Sequence, residues 1–275
     1  MALELIKLVK GSSAVAQVGS LGFFKLSAET GGGSGDLISF ADATPEQISA
    51  ISAEISANGM TNEQVASTYG WNIGDTTSIT LTTGEVIEVR IIGFNHDDKS
   101  DGSGKAGITL QMTHCLATAY PMHSAAKYTW WQYCTMFTST LPTIKNTFPS
   151  DWKSIIKTVN KKQVYTQYGD PDISKNDLFL LAEAELYGRQ VSPPTSTGTK
   201  DGTQYSYWAQ EGVSQLMYRD VDGDGKPETA SIWWLRSMYY ASSNAKGFCN
   251  ISDSGYNNYT TYTQNPYGVS FAFCV

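Results

Sequence analysis

An acidic loop has the residue types and spacing of a calcium site. The run RDVDGDGKPET places Asp220, Asp222 and Asp224 at alternate positions and adds Glu228 four residues later. Oxygen ligands at positions one, three, five and nine of a tight glycine-bearing loop suit Ca²⁺. Position twelve is Ser231, whereas an EF-hand has a bidentate Glu there. Two interpretations stay open: a structural Ca²⁺ clamp, and a solvated acidic turn in which Asp and Gly simply suit the backbone geometry.

The three histidines are the next candidates for chemistry. His96 lies in the run NHDD, and His114 and His123 flank the run CLATAYPM. A histidine beside carboxylates can bind a metal or transfer protons. The chain has no His-x-x-x-His spacing, no nucleophile elbow and no paired-carboxylate pattern. We therefore expect loop or capping roles for these side chains and predict no catalytic residue.

The four cysteines are Cys115, Cys134, Cys249 and Cys274, and each has apolar or aromatic neighbours. Their spacing fits no zinc pattern, so we expect small buried hydrophobic side chains. Two alternatives stay open for Cys249 and Cys274: a disulfide between neighbouring strands, and a redox or copper site.

The tract from Tyr239 to Asn265 has a narrow polar-aromatic alphabet. Of its 27 residues, 18 are Tyr, Asn, Ser, Thr or Asp, and only Lys246 and Asp253 are charged. The apolar runs GFCNI and GVSFAFCV interrupt and close the tract, which predicts polar segments held between buried strands. Tyr gives a large contact area at low entropic cost, and Asn and Ser give adaptable hydrogen bonds, as in antibody paratopes. The tract predicts an exposed binding surface, and a tolerant surface loop is the alternative.

The end of the chain contains both the predicted binding surface and its predicted scaffold. The surface residues are Tyr239, Tyr240, Asn244, Asn250, Ser252, Asp253, Tyr256, Asn257, Asn258, Tyr259, Thr261 and Tyr262. The scaffold residues are Trp233, Trp234, Phe248, Cys249, Val269, Phe271 and Phe273. Arg236 is a charge in a core-like strand, so it requires a buried carboxylate or carbonyl partner.

The elements that position this tract indicate an α+β fold. Capping boxes at Thr44 and Thr61, each with Gln three residues later, predict two helices, and the first has an apolar face of isoleucines. Strands predominate from Trp71 onward. Further helices are predicted over KYTWWQYCTMFTSTL, PSDWKSIIKTV and DGTQYSYWAQEG, and a buried strand is predicted over DLFLLAEAELYG. Strands, two or three helices and then long loops between strands are typical of α+β domains.

Composition and charge exclude several classes of function. The net charge is −7 and no basic stripe is present, which argues against nucleic-acid binding. No apolar run reaches the roughly 18–20 residues that span a bilayer, so we expect no membrane insertion. The start, MALELIKLVKGSS, lacks the charged and apolar regions of a secretion signal. We expect synthesis in a cytoplasm without a signal peptide.

A resemblance rests on several runs that occur in order. They are IIGFNHDDK, GKAGITLQM, FPSDWKSIIKTVNKK, LFLLAEAELYG, GTQYSYW, WWLRS, GFCNI and GVSFAFCV. Together with the linker SFADATPEQISAISAEI, they resemble a domain family frequent in phages and prophages of gut bacteria, over roughly residues 36–275. That family is similar to the C-type-lectin-like and formylglycine-generating-enzyme-like folds. Two segments, WWQYCTMF and the acidic loop, depart from its pattern. These departures affect what the resemblance implies about the local surface but not what it implies about the fold.

The resemblance implies a function. These folds host the variable proteins of diversity-generating retroelements, including phage tropism determinants, whose C-terminal codons are mutated at adenines. An AAY codon mutated in this way yields Tyr, Ser, Thr and Asp, which fits the tract at 239–265. The implied protein is a phage tail-tip receptor-binding protein in the virion, with a host-surface protein or glycan as ligand. Other tail proteins are its implied partners, and it is implied to form a homotrimer.

The implied organisation has three parts. Residues 1–42 form a β segment for virion attachment or oligomerisation, residues 43–70 a helical connector, and residues 71–275 a C-type-lectin-like ligand-binding domain. The same resemblance leaves two rivals open. One is a Ca²⁺-dependent carbohydrate-binding module centred on the acidic loop. The other is an oxidase of the formylglycine-generating type that uses Cys249 and Cys274.

Overall fold

The computed structural model describes residues 37–125, 129–164, 172–189, 200–242 and 245–275, with only the backbone described at 240–242 and 245–246. The short strands predicted within residues 1–30, and nearly all of the predicted segment 1–42, lie outside the described residues. The described part of that segment ends in a 3₁₀ turn, Phe40–Asp42.

The two helices predicted from capping boxes are confirmed. Helix α1 is Pro45–Asn58 and helix α2 is Asn62–Tyr69, and both capping boxes are formed. The isoleucine face of α1 is buried. Ser52 Oγ on α1 donates to the carbonyl of Val275, and a Cβ at Gly107 would lie only 1.9 Å from the Ser52 carbonyl oxygen. The predicted connector 43–70 therefore packs tightly against the domain that follows it.

The remaining helices are short. They are α3 (Leu141–Asn146), α4 (Ser150–Ile155) and α5 (Glu183–Tyr187). Within the described residues, the strands are β1 (Thr76–Thr80), β2 (Val86–Phe94), β3 (Ile108–Met112), β4 (Tyr120–Pro121), β5 (Val159–Gln163), β6 (Asp172–Asn176), β7 (Leu178–Leu180), β8 (Met217–Arg219), β9 (Thr229–Ser231), β10 (Trp233–Ser242), β11 (Ala245–Ile251), β12 (Asn257–Thr260), β13 (Pro266–Tyr267) and β14 (Phe271–Cys274).

The central sheet has five antiparallel strands in the order β1-β2-β3-β14-β7. Strand β14 is an interior strand of this sheet, where Phe273 is opposite Leu110 on β3 and Leu178 on β7. A second sheet has the order β10-β11-β12, and β4 with β13, β5 with β6, and β8 with β9 form two-stranded ribbons. The fold is mixed α+β with antiparallel sheets, as the sequence predicted.

Three local predictions are wrong. The aromatic run predicted as one helix is a 3₁₀ turn at Trp131–Tyr133, a π-helical turn at Met136–Thr140 and then α3. The Trp131 backbone N–H donates to Gln163 Oε1 at 2.8 Å, so the start of this run is tied to β5. The run predicted as a buried strand ends at Leu180 and continues as α5. The run predicted as a helix around Tyr207 forms turns, because the Tyr207 N–H donates to the Ile92 carbonyl.

All seven predicted scaffold residues are buried. Of the described helices, none combines the length and the apolar character needed to cross a bilayer.

Candidate functional site

The three-stranded sheet positions the end of the polar-aromatic tract. On one face of the sheet, Tyr239 on β10 is opposite Gly247, and Tyr259 on β12 is opposite Cys249. The rings of Tyr239 and Tyr259 stack across the middle strand with centroids 3.5 Å apart and planes 10° from parallel. A hydrogen bond with Tyr259 raises the pKa of Tyr239. A Cβ at Gly247 would lie 1.8 Å from the Thr260 carbonyl oxygen, so the close approach of β11 and β12 requires glycine there.

Exposed aromatic side chains cover strand β12 and both of its flanks. Tyr256 is 74% exposed, Tyr259 is 53% exposed and Tyr262 is 73% exposed. Asp253, Asn257, Asn258 and Thr261 are also exposed, and Tyr239 is half-buried. We call these eight residues the tyrosine surface. They account for most of the predicted surface. Seven of them lie on the edge strand β12 and its flanking turns, and Tyr239 joins them from β10 through its stack on Tyr259.

The backbone under the tyrosine surface is held at both ends. Before β12, Ser252 Oγ accepts hydrogen bonds from the Ser254 and Tyr256 backbone N–H groups, and Gly255 has φ 81°. The Ser252 side chain therefore stabilises this turn. After β12, Thr263 is buried and its carbonyl accepts from the His123 N–H at 3.0 Å. The exposed side chains thus project from a fixed segment.

Asn250 corrects the predicted surface. It lies on β11 opposite Trp234 and Asn258, and only 1% of its surface is exposed. The alternation of the strand places it on the same side as buried Phe248, and its Oδ1 has no hydrogen-bond partner among the described residues. Asn250 is therefore a core residue. The Tyr240 side chain and all of Asn244 lie outside the described residues.

A pocket of about 350 Å³ adjoins the tyrosine surface. Its lining residues are Glu183, Tyr187, Arg189, Gln215, Gly255, Tyr256 and Asn257. Glu183 has no exposed surface, and its Oε1 accepts a hydrogen bond from Asn257 Nδ2 at 2.5 Å. Burial raises the pKa of Tyr187 to about 12, with a further contribution from Glu183. The sequence did not predict this pocket, although the two Glu residues within the apolar run FLLAEAELYG indicate buried carboxylates.

A buried ionic network connects β5, β10, α5 and the segment after β2. Lys161 donates to Asp97, to Glu185 Oε1 at 3.0 Å and to the Tyr205 hydroxyl at 2.6 Å. Arg236 Nη2 donates to Glu185 Oε1 at 2.6 Å. Two cations and two carboxylates balance within a set of side chains that are at most 5% exposed. The predicted need of Arg236 for a buried carboxylate or carbonyl partner is confirmed, because it donates to Glu185 and to the carbonyls of Lys162 and Asp201.

The electrostatics of this network follow from burial and pairing. Burial acts to raise the pKa of both carboxyl groups, but the cations outweigh it. Lys161 holds the pKa of Asp97 well below its usual range, and Arg236 together with Lys161 lowers that of Glu185. Burial and the two carboxylates raise the pKa of Tyr205 well above its usual range. Both carboxylates are therefore charged and the phenol is neutral near pH 7.

The acidic loop joins β8 to β9. Carboxylate oxygens of Asp220, Asp222 and Asp224 lie within 4.8 Å of one another, an arrangement that can hold a cation, whereas Glu228 is not part of this group. Asp220 also accepts the backbone N–H groups of Gly223 and Gly225 at 2.8 and 2.9 Å. These hydrogen bonds lower the pKa of Asp220. The geometry suits both a cation site and a self-contained acidic turn.

The cysteine and histidine side chains lie in environments that can be compared with the predictions. All four cysteines are free and buried, so the disulfide alternative for Cys249 and Cys274 is wrong. Burial raises the pKa of both thiols well above its usual range, which disfavours the thiolate. His96 stacks on Tyr205 with centroids 3.9 Å apart, and His123 Nδ1 accepts the Thr135 N–H at 3.2 Å. Contacts of this kind stabilise the local structure.

Comparison with known proteins adds one family. Neither the curated proteins nor the solved structures contain a significant match to this chain. A family model described as a domain of unknown function, DUF6273, matches residues 106–275, which is more than half of the chain. The match covers the tyrosine surface and the pocket, while α1, α2, β1 and β2 lie before it. The chain belongs to the DUF6273 family.

Proposed function

We propose that this protein is a phage tail receptor-binding protein that displays the tyrosine surface to host cells. The observation that carries the proposal is the exposure of Tyr256, Tyr259 and Tyr262 on a segment anchored at both ends. Each of these side chains leaves more than half of its surface in solvent. Exposed large aromatic side chains clustered on one surface mark interaction sites more often than singly scattered ones do.

The arrangement suits affinity built from many modest contacts. Tyr and Asn side chains contribute aromatic burial and hydrogen bonds at low entropic cost, because few torsions are fixed on binding. The Tyr239–Tyr259 stack and the Ser252 turn order part of the surface in advance, which reduces the entropic cost of binding. Display of several copies on one particle then raises the overall avidity.

The proposal includes the fold family and the location. The α+β architecture and the antiparallel sheets fit the C-type-lectin-like fold implied by the resemblance. On this proposal, the exposed residues of the tract and Tyr239 are the changeable positions, and the buried residues of β10, β11 and β14 are the constant ones. Residues 1–42 attach the protein to the virion, where it functions as a trimer.

Alanine substitution on living cells tests this function. The fluorescently labelled chain is incubated with a panel of gut bacteria, and cell staining is measured for wild type and for Tyr256→Ala/Tyr259→Ala/Tyr262→Ala. We expect the triple variant to lose staining while its melting temperature stays within a few degrees. Tyr133→Ala is the matched control, because Tyr133 is 59% exposed but lies outside the tyrosine surface. Unchanged staining of the triple variant would contradict the proposal.

One observation favours a second candidate, a Ca²⁺-dependent carbohydrate-binding module. It is the approach of the Asp220, Asp222 and Asp224 carboxylates to within 4.8 Å. A glycan array probed with and without chelator separates the two candidates. Glycan binding that needs Ca²⁺ and fails in Asp222→Asn supports the module, whereas binding that persists in chelator supports the tyrosine surface.

The oxidase alternative has less support. Cys249 and Cys274 lie on strands of different sheets, and both are buried. Their raised pKa values disfavour the thiolates that would bind copper. We therefore propose a binding protein and no enzymatic activity. Stoichiometric copper binding by the purified protein, lost in Cys249→Ser, would reverse this choice.

A further inference from the structure

The pocket beside the tyrosine surface has the size and lining of a small-ligand site. Its volume of about 350 Å³ is at the lower end of the roughly 300–1,000 Å³ range of ligand pockets, which suits a single ring-sized group. Tyr187 and Tyr256 contribute aromatic walls, and Gln215 and Asn257 contribute amides. Tyr256 and Asn257 also belong to the tyrosine surface, so the pocket and that surface are continuous.

The charges of the pocket are unequally accessible. Among the described residues that line it, only Glu183 and Arg189 are charged. The Glu183 carboxylate is buried beneath Asn257, whose amide donates to it, whereas Arg189 is exposed. A ligand that enters the pocket therefore meets a cation and an amide-covered carboxylate.

We propose that this pocket binds a hydroxylated ring that carries a carboxylate, such as an acidic sugar unit of a host glycan. Arg189 pairs with the carboxylate of the ligand and sets the charge preference, and the Asn257 amide hydrogen-bonds to the hydroxyl groups of the ring. The inference rests on the proposed function, because it names a ligand class for one end of the tyrosine surface.

The chemistry of the lining groups matches such a ring. The guanidinium fork pairs with a carboxylate through two parallel hydrogen bonds. Amides both donate and accept, as ring hydroxyl groups do. The aromatic walls of Tyr187 and Tyr256 offer apolar surface to the C–H groups of the ring. A cationic ring, by contrast, is repelled by Arg189 and is separated from Glu183 by Asn257.

Three sugars that differ only in charge test the proposal. Binding of D-glucuronate, D-glucose and D-glucosamine to the full chain is measured by ligand-observed NMR. We expect wild type to bind glucuronate about tenfold more tightly than glucose, the size of one charge-assisted interaction, and glucosamine most weakly. Arg189→Gln should abolish the preference for glucuronate over glucose. Asn257→Ala should weaken the binding of glucuronate and glucose alike, because it removes an amide that hydrogen-bonds to the hydroxyl groups of the ring.

Lys175→Gln is the matched control, since it removes one exposed cation from β6, a strand that contributes no residue to the pocket. Arg189 is exposed, so its variant keeps the test available even where Asn257→Ala does not fold. The proposal is overturned when wild type binds no sugar, binds all three equally, or keeps its preference in Arg189→Gln. When no sugar binds but cell staining still depends on Tyr256, Tyr259 and Tyr262, the pocket proposal alone fails.

Discussion

Replacing Lys161 by Met should destabilise the whole domain. Lys161 Nζ contacts two carboxylates and the Tyr205 hydroxyl, and its ammonium group lies 3.8 Å from the Phe179 ring centroid. Met has a similar length and flexible shape, so Lys161→Met removes the charge and leaves little cavity. The variant retains Asp97, Glu185 and only one buried cation, Arg236.

The expected magnitude follows from that imbalance. Removing one partner of a buried ion pair costs about 3–5 kcal/mol, because it leaves a buried charge without compensation. Total stabilities are about 5–15 kcal/mol, so this loss is a large fraction of the free energy of unfolding. With a urea m-value of about 2–3 kcal/mol/M, the midpoint of unfolding should fall by roughly 1–2.5 M.

Equilibrium urea unfolding followed by tryptophan fluorescence measures this shift. Lys175→Met is the control, since Lys175 is exposed on the neighbouring strand, and we expect its effect to stay within about 0.5 kcal/mol. Adding Asp97→Asn to Lys161→Met rebalances the network and should restore at least about 1 kcal/mol. A loss below about 1 kcal/mol for Lys161→Met, or no recovery in the double variant, refutes the role assigned to the network.

Three further predictions concern the scaffold. Gly247→Ala should lower the melting temperature by several degrees, because its Cβ would lie 1.8 Å from the Thr260 carbonyl oxygen, and calorimetry that finds no change would contradict the close packing of β11 and β12. Ile55→Ala should lower the free energy of unfolding by about 2–5 kcal/mol and leave a single cooperative transition, because Ile55 on α1 is buried in the core. A separate early transition would show that α1 unfolds independently of the rest. Folding lowers the pKa values of Asp97 and Glu185, so these carboxylates stabilise the folded state above their ordinary pKa near 4. This stabilisation is lost as the pH falls below that value. Urea midpoints that stay constant from pH 6 to pH 3 would contradict this direction.

The sequence predicted the elements whose signals are local. Capping boxes located α1 and α2, and apolar runs located β11 and β14. It also predicted most of the exposed tract from composition alone. These features depend on residues within one turn or one strand of each other, so short-range patterns suffice.

Features that depend on distant pairing could not be predicted in this way. Asn250 has the residue type of the surface, but its register opposite Trp234 and Asn258 places it in the core. The pocket combines α5 with a turn about 70 residues away in sequence. The ionic network likewise combines residues far apart in the chain, and only the need of Arg236 for a partner was visible beforehand.

The solvent accessibility of individual tyrosines in the bound state shows directly whether the tyrosine surface contacts host cells. Hydroxyl-radical labelling of the chain, free and bound to cells that it stains, is quantified by mass spectrometry for each tyrosine. We expect strong protection of Tyr256, Tyr259 and Tyr262 on binding and unchanged labelling of Tyr133, which serves as the internal reference. Protection of Tyr133 with continued labelling of the other three would contradict binding through the tyrosine surface.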